Sequence, residues 1–126
     1  MPELNRIETV FDRDELAERE LLQEMTSFTQ KETGIRNHIF VSPKGNTRHA
    51  PRIKVAIDPP DSFDPRGETA SVMIDGGKVA VGKLPAKLLR QVKRFIDLNR
   101  DVLLDYWEYR IGTAELVERL RSIAHD

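Results

Sequence analysis

The stretch KLPAKLLRQVKRFIDLNRDVLLDYW, residues 83–107, decides the fold. Pro85 suits a first helical turn, because its missing N–H has no intrahelical partner there anyway. Beyond it Leu88, Leu89, Val92, Phe95 and Ile96 recur at helical spacing and make one apolar face. Asn99 is expected to break this helix and cap a short second one, on which Val102, Leu103, Tyr106 and Trp107 continue the face. A single helix running to Arg110 is the competing reading, since the 3.6-residue period never slips badly. Gly112 then ends the run, and Thr113 caps a last helix with Leu116, Val117, Leu120 and Ile123 turned inward.

Upstream the period is two rather than 3.6. In Arg52–Ile57, Ile53, Val55 and Ile57 alternate strictly with Arg52, Lys54 and Ala56, so one face is buried and the other wet. Three further strands are expected at Ile35–Val41, Thr69–Ile74 and Lys78–Gly82. Asp75-Gly76-Gly77 joins the last two as a tight hairpin, because glycine tolerates positive φ. The segments 42–51 and 58–67, rich in Pro and Gly, read as loops. Before the strands, Asp14–Met25 reads as an acidic helix and the polar Thr26–Gly34 as a linker. The expected class is therefore α+β: an N-terminal helix, a four-stranded, mainly antiparallel sheet, and C-terminal helices packed on one face. Residues 1–25 are expected to be an acidic helical extension and 26–126 a single domain.

Composition narrows the function. The 126 residues fit one domain, and 39% hydrophobic residues suffice for a core. A net charge of −1 disfavours both a globally basic nucleic-acid clamp and an acidic solvating chain. With no cysteine, disulfides, thiol catalysis and cysteine zinc sites are excluded. No apolar run approaches the ~20 residues that span a bilayer, so a cytoplasmic protein without membrane contact is expected.

Charge is unevenly distributed. Residues 1–35 carry a net −5, while 36–54 and 83–100 each carry +5. Lys83, Lys87, Arg90 and Arg94 recur at spacings that align them along one helix side. Should the loop holding Lys44 and Arg48, with Arg52 and Lys54 of the next strand, fold beside that side, one basic patch results. Such a patch would seat an acidic protein face or phosphates. The blander reading is a solvated helix face, or one paired with the acidic N-terminal helix.

The remaining candidates are weaker. His38 and His49 flank the first strand and its loop, and would need an acid such as Asp58 or Asp61 on a common face to form a metal or acid–base site. Asp58, Asp61, Asp64 and Glu68 lack the spacing of a calcium loop, and Phe63 among them is expected to pin the loop to the core. Ser42, Ser62 and Ser71 have no nucleophile-elbow context. Trp107 is expected in the core and Tyr109 exposed, as a secondary contact residue. No catalytic residue, metal or cofactor is expected.

Leu89, Phe95-Ile96, Asn99, Leu103-Leu104 and Trp107, following a β-meander, resemble small bacterial domains of unknown function that are common on mobile elements. The resemblance runs from Lys54 onward, over about half the chain. It implies a small interaction or regulatory role, because such domains are often encoded beside toxin–antitoxin-like partners. The family tends to carry a His-x-His strand motif; here Asn37-His38-Ile39-Phe40 stands instead, without the second histidine. The leading expectation is a non-enzymatic accessory protein that binds a macromolecule, protein or nucleic acid, through its basic residues, with a homodimer as a further option. A toxin–antitoxin-like component, a mobile-element inhibitor, a small-anion-binding regulator and a toxin-like ribonuclease using His38 or His49 are the alternatives.

Overall fold

The computed structural model describes residues 25–125. The expected acidic helix over 14–25 falls outside this range except for Met25. The described chain runs β1 (Thr26–Phe28), a one-turn helix α1 (Gln30–Thr33), β2 (Ile39–Val41), β3 (Arg52–Asp58), β4 (Glu68–Met73) and β5 (Val79–Val81). Two helices follow, α2 (Ala86–Trp107) and α3 (Thr113–Arg119), and the described chain closes on a 3-10 turn, Ile123–His125. The strands form one antiparallel meander in the order β1-β2-β3-β4-β5. The class is α+β, with five strands in place of the four expected.

The additional strand lies in the segment read as a linker. β1 holds a single large apolar residue, Phe28, which is fully buried and pairs with Ile39. Directly after it, the Glu32 carboxylate accepts from the Thr29 N–H at 2.9 Å, half of the Thr-x-x-Glu capping box that starts helices. The first expected strand, 35–41, contracts to Ile39–Val41. The Asp75-Gly76-Gly77 turn does join β4 to β5, with φ of 82° at Gly76 and 63° at Gly77.

Strand alternation holds in β3 as far as Val55, but Ala56, expected on the wet side, is buried and Ile57 only half-buried. Ile53 and Val55 of β3 join Phe28, Ile39, Val41 and Val72 in the core, so Arg52 and Lys54 between them point to the opposite face. The core is completed by α2, which contributes Leu88, Val92, Phe95, Ile96, Val102, Leu103 and Tyr106.

This helix is continuous over 22 residues, so Asn99 does not break it. The side chain is 2% exposed and its amide has other work. Nδ2 donates to the carbonyls of Phe95 (3.0 Å) and Arg121 (2.9 Å), and Oδ1 accepts from the Arg121 N–H at 2.7 Å. Asn99 thus clamps the C-terminal tail to the helix. The same tail meets Gly34, whose φ is 84° and where an added Cβ would lie 2.8 Å from the Ala124 nitrogen.

Three further expectations are corrected. Helix α3 begins at Thr113 with Gly112, not Thr113, as its cap. Of its inward residues Leu116 and Ile123 are buried and Leu120 is half-buried, but Val117 is 49% exposed. Adjacent positions diverge by about 100° on a helix, so Leu116 and Val117 cannot share one face. Phe63 is 66% exposed rather than pinned to the core. Trp107 is buried and Tyr109 exposed.

Replacing Asn99 by Ala leaves the Arg121 N–H and carbonyl without this partner. We expect a loss of about 1–3 kcal/mol in urea denaturation, with faster amide exchange at residues 120–124. Wild-type exchange there would contradict the clamp.

Candidate functional site

The eight candidate basic residues fall into separate groups. Lys44 lies at the C-terminal end of α2: its backbone N–H donates to the Trp107 carbonyl at 3.0 Å and its Nζ meets Glu108 Oε2 at 2.8 Å. Arg52 and Lys54, on the sheet face opposite Ile53 and Val55, line a small cleft with Phe40, Ser42, His49 and Trp107, the last residue of α2. Its volume is about 10 Å³, room for one water at most. Arg48 is exposed in the loop between β2 and β3. Arg48, Arg52, Lys54 and Arg94 are each already engaged in a bonding or electrostatic contact.

Lys83, Lys87, Arg90 and Arg94 are all exposed. Lys83 precedes the helix, and the other three occupy the outer side of the first half of α2. A helix of 22 residues is about 33 Å long at 1.5 Å per residue. Lys44 and Lys87 therefore stand at opposite ends of α2, and no single patch forms. Burial of Ile53 and Val55 turns Arg52 and Lys54 away, while the contacts to Trp107 and Glu108 hold the loop at the far end.

The secondary candidates hold loops in place. The buried His38 ring has Nδ1 at 3.1 Å from the Ser62 carbonyl oxygen and rests against Phe63, with centroids 4.5 Å apart. It fastens the 58–67 loop to β2. His49 packs beside Trp107, with centroids 5.9 Å apart. Tyr109, at φ 62°, accepts the Gly45 N–H on its hydroxyl at 3.0 Å. In the acidic loop, Asp64 accepts from the backbone N–H and the Nε–H of Arg66, which hold its carboxyl below the usual range. Among the described residues no three His, Asp or Glu side chains converge as metal ligands.

Two features were not anticipated. Along the outer side of α2, Lys87, Arg90 and Arg94 give way to Asp97, Asp101 and Asp105, so the helix is cationic in its first half and anionic in its second. The spacing that aligned the bases continues unbroken past Arg94, and that was the available signal. Beside the start of the helix, a groove of about 400 Å³ is lined by Gln30, Arg36, Asn37, Lys87 and Gln91 among others, without a carboxylate. Arg36 and Gln30 reach it through the β1–β2 connection, which sequence periodicity did not connect to α2.

Residues 64–108, from the loop before β4 to just past the end of α2, match the model of a domain of unknown function, DUF4160. The match spans β4, β5 and α2 and leaves β1, β2 and β3 outside it. No curated protein and no solved structure matches the chain. Among the described residues no helix is long and apolar enough to cross a membrane.

Lys44 donates to Glu108 and holds its carboxyl below the ordinary glutamate range. A depressed folded-state pKa means that this contact is fully formed at neutral pH and is lost as pH falls through that lowered value. In an NMR titration Glu108 is expected to titrate below a free glutamate, and Lys44→Gln to return it upward. An unchanged midpoint in the variant would contradict the contact.

Proposed function

We propose that this is a non-enzymatic bacterial accessory protein, of the kind encoded on mobile elements, that binds a protein partner through the outer side of α2. The observation that carries the reading is where the charges sit. The amino end of a helix carries positive partial charge, and cations there cost stability, about 0.3–1 kcal/mol each. Yet α2 has no acid in its first turn, and Lys87, Arg90, Lys93 and Arg94 crowd its first half. The dipole acts within the first turn, where Lys87 alone of these sits. Beyond it Arg90 and Arg94 are a like-charged i,i+4 pair, which also costs helix stability, and an anionic partner favours the whole cationic run.

The acids that follow favour protein over nucleic acid. Duplex DNA presents one negative charge per ~1.7 Å along its axis, and Asp97, Asp101 and Asp105 would repel it where it passed the second half of α2. A protein surface can carry acids opposite the first half and bases opposite the second. The contacts of His38 and His49 with loop carbonyls and aromatic rings support a structural rather than a catalytic role for both. The groove at Arg36 and Lys87 favours a second reading, a small-anion-binding regulator. A toxin–antitoxin-like component or a mobile-element inhibitor would be specific forms of the leading one.

The test is a titration at low salt with a helical peptide carrying an acidic block followed by a basic block. It is expected to bind about tenfold or more tightly than a peptide of scrambled charge, a difference of about 1.4 kcal/mol. Lys87→Glu is expected to abolish the preference and Lys44→Gln to leave it intact. Equal binding of both peptides would overturn the reading. Preference for a duplex oligonucleotide would turn it to nucleic acid, and a melting shift with inorganic phosphate alone, removed by Arg36→Gln, to the small-anion regulator.

A further inference from the structure

The outer stripe of α2 is complementary to itself. In an antiparallel pair of identical helices related by a two-fold axis, residue i of one faces residue j of the other, and the sum of i and j is constant. On this stripe Arg90 with Asp101 and Arg94 with Asp97 have the same midpoint, between Phe95 and Ile96. Lys87 with Asp105 is centred within half a residue of it. One register therefore sets cation against anion at every one of these positions, and symmetry makes each pair occur twice.

These residues are placed to do so. Lys87, Arg90, Arg94, Asp97 and Asp101 are exposed, and they lie opposite the face that Val92, Phe95, Ile96 and Leu103 bury in the core. At 100° per residue all of them fall within a band less than a quarter-turn wide. The helix is continuous over its 22 residues, without an internal glycine or proline to kink it. Asp105 contributes least, because Arg110 and Arg119 already reach it at 3.1 and 3.4 Å. Arg94 also has another contact. The Arg90–Asp101 pair is thus the one on which the register turns.

We propose that the chain forms an antiparallel two-fold dimer in which the outer sides of two α2 helices meet, Arg90 of each copy facing Asp101 of the other. The seam is charged and has no large apolar residue at its centre, so the contact is smaller and wetter than a permanent interface. Exposed ion pairs are individually weak and screened by salt. The dimer accordingly forms at low ionic strength and comes apart as salt rises. In it the cations of one copy are covered by the acids of its mate, so dimerisation and capture of an acidic partner exclude each other. This step rests on the partner-binding reading only in that both need the cationic half of α2 to be accessible.

Sedimentation equilibrium of the full chain decides it. At about 0.01 M salt, where charges interact over ~30 Å, the mass is expected to approach that of a dimer; at about 1 M, where the range is ~3 Å, that of a monomer. Arg90→Glu and Asp101→Arg each replace attraction by repulsion twice over, and each variant alone is expected to stay monomeric at low salt. Both lie on the exposed side of the helix, away from the core. Mixed in equal amounts, the two variants make both symmetry-related contacts attractive in the mixed dimer and are expected to associate with each other. A wild type that stays monomeric at 0.01 M salt, variants that associate as the wild type does, or a mixture that stays monomeric would each overturn the dimer. A monomer that still prefers the block peptide overturns the dimer alone. A dimer with no such preference overturns the partner-binding reading alone.

Discussion

The seating of one face of α2 on one face of the sheet governs the rest of the molecule. Phe95, Val92 and Leu103 are fully buried in a common core with Ile53, Val55 and Val72. Truncating a buried Phe costs about 3–5 kcal/mol, whereas an exposed ion pair contributes about 0–1 kcal/mol. Apolar packing therefore decides where the charges go, and not the reverse. With Ile53 and Val55 turned toward the helix, Arg52 and Lys54 have no choice but the other face. With Phe95 and Leu103 turned toward the sheet, Arg90, Arg94, Asp97 and Asp101 must look outward.

Polar contacts then fix what packing leaves free. The Asn99 amide holds the tail at Arg121, and Gly34 leaves room for the same tail at Ser122–Ala124. At the other end Lys44 and Tyr109 tie the β2–β3 loop to the close of α2. The matched segment, residues 64–108, contains α2 but not β1–β3. The charged stripe thus lies within the matched segment, and the cleft at Arg52 and Lys54 largely outside it.

The legible parts of the sequence were those with a sustained period. Alternation in β3, the Asp-Gly-Gly hairpin and the apolar face of α2 each repeat one signal over many residues. β1 did not, because a three-residue strand with a single large apolar residue offers no period, and its hydroxyls resemble a linker. Asn99 misled for a different reason. An asparagine suits a cap, and only its tertiary partner Arg121, 22 residues on, keeps it inside a helix. Side assignment failed similarly: the two basic stretches were each visible, but their separation depends on which face of β3 the helix covers. Past Arg94, Asp97, Asp101 and Asp105 continue the same spacing with the opposite sign.

The separation of the two basic stretches decides whether the cations of α2 act alone or with those of the β2–β3 loop. Because the natural chain has no cysteine, spin labels can be placed singly at positions 44 and 87, and their distance measured by electron–electron double resonance in high salt. A continuous α2 with Lys44 at its far end predicts a distance distribution centred near 30 Å. A distance under about 20 Å, too short for the two ends of such a helix, would bring the cations into one patch and contradict the account.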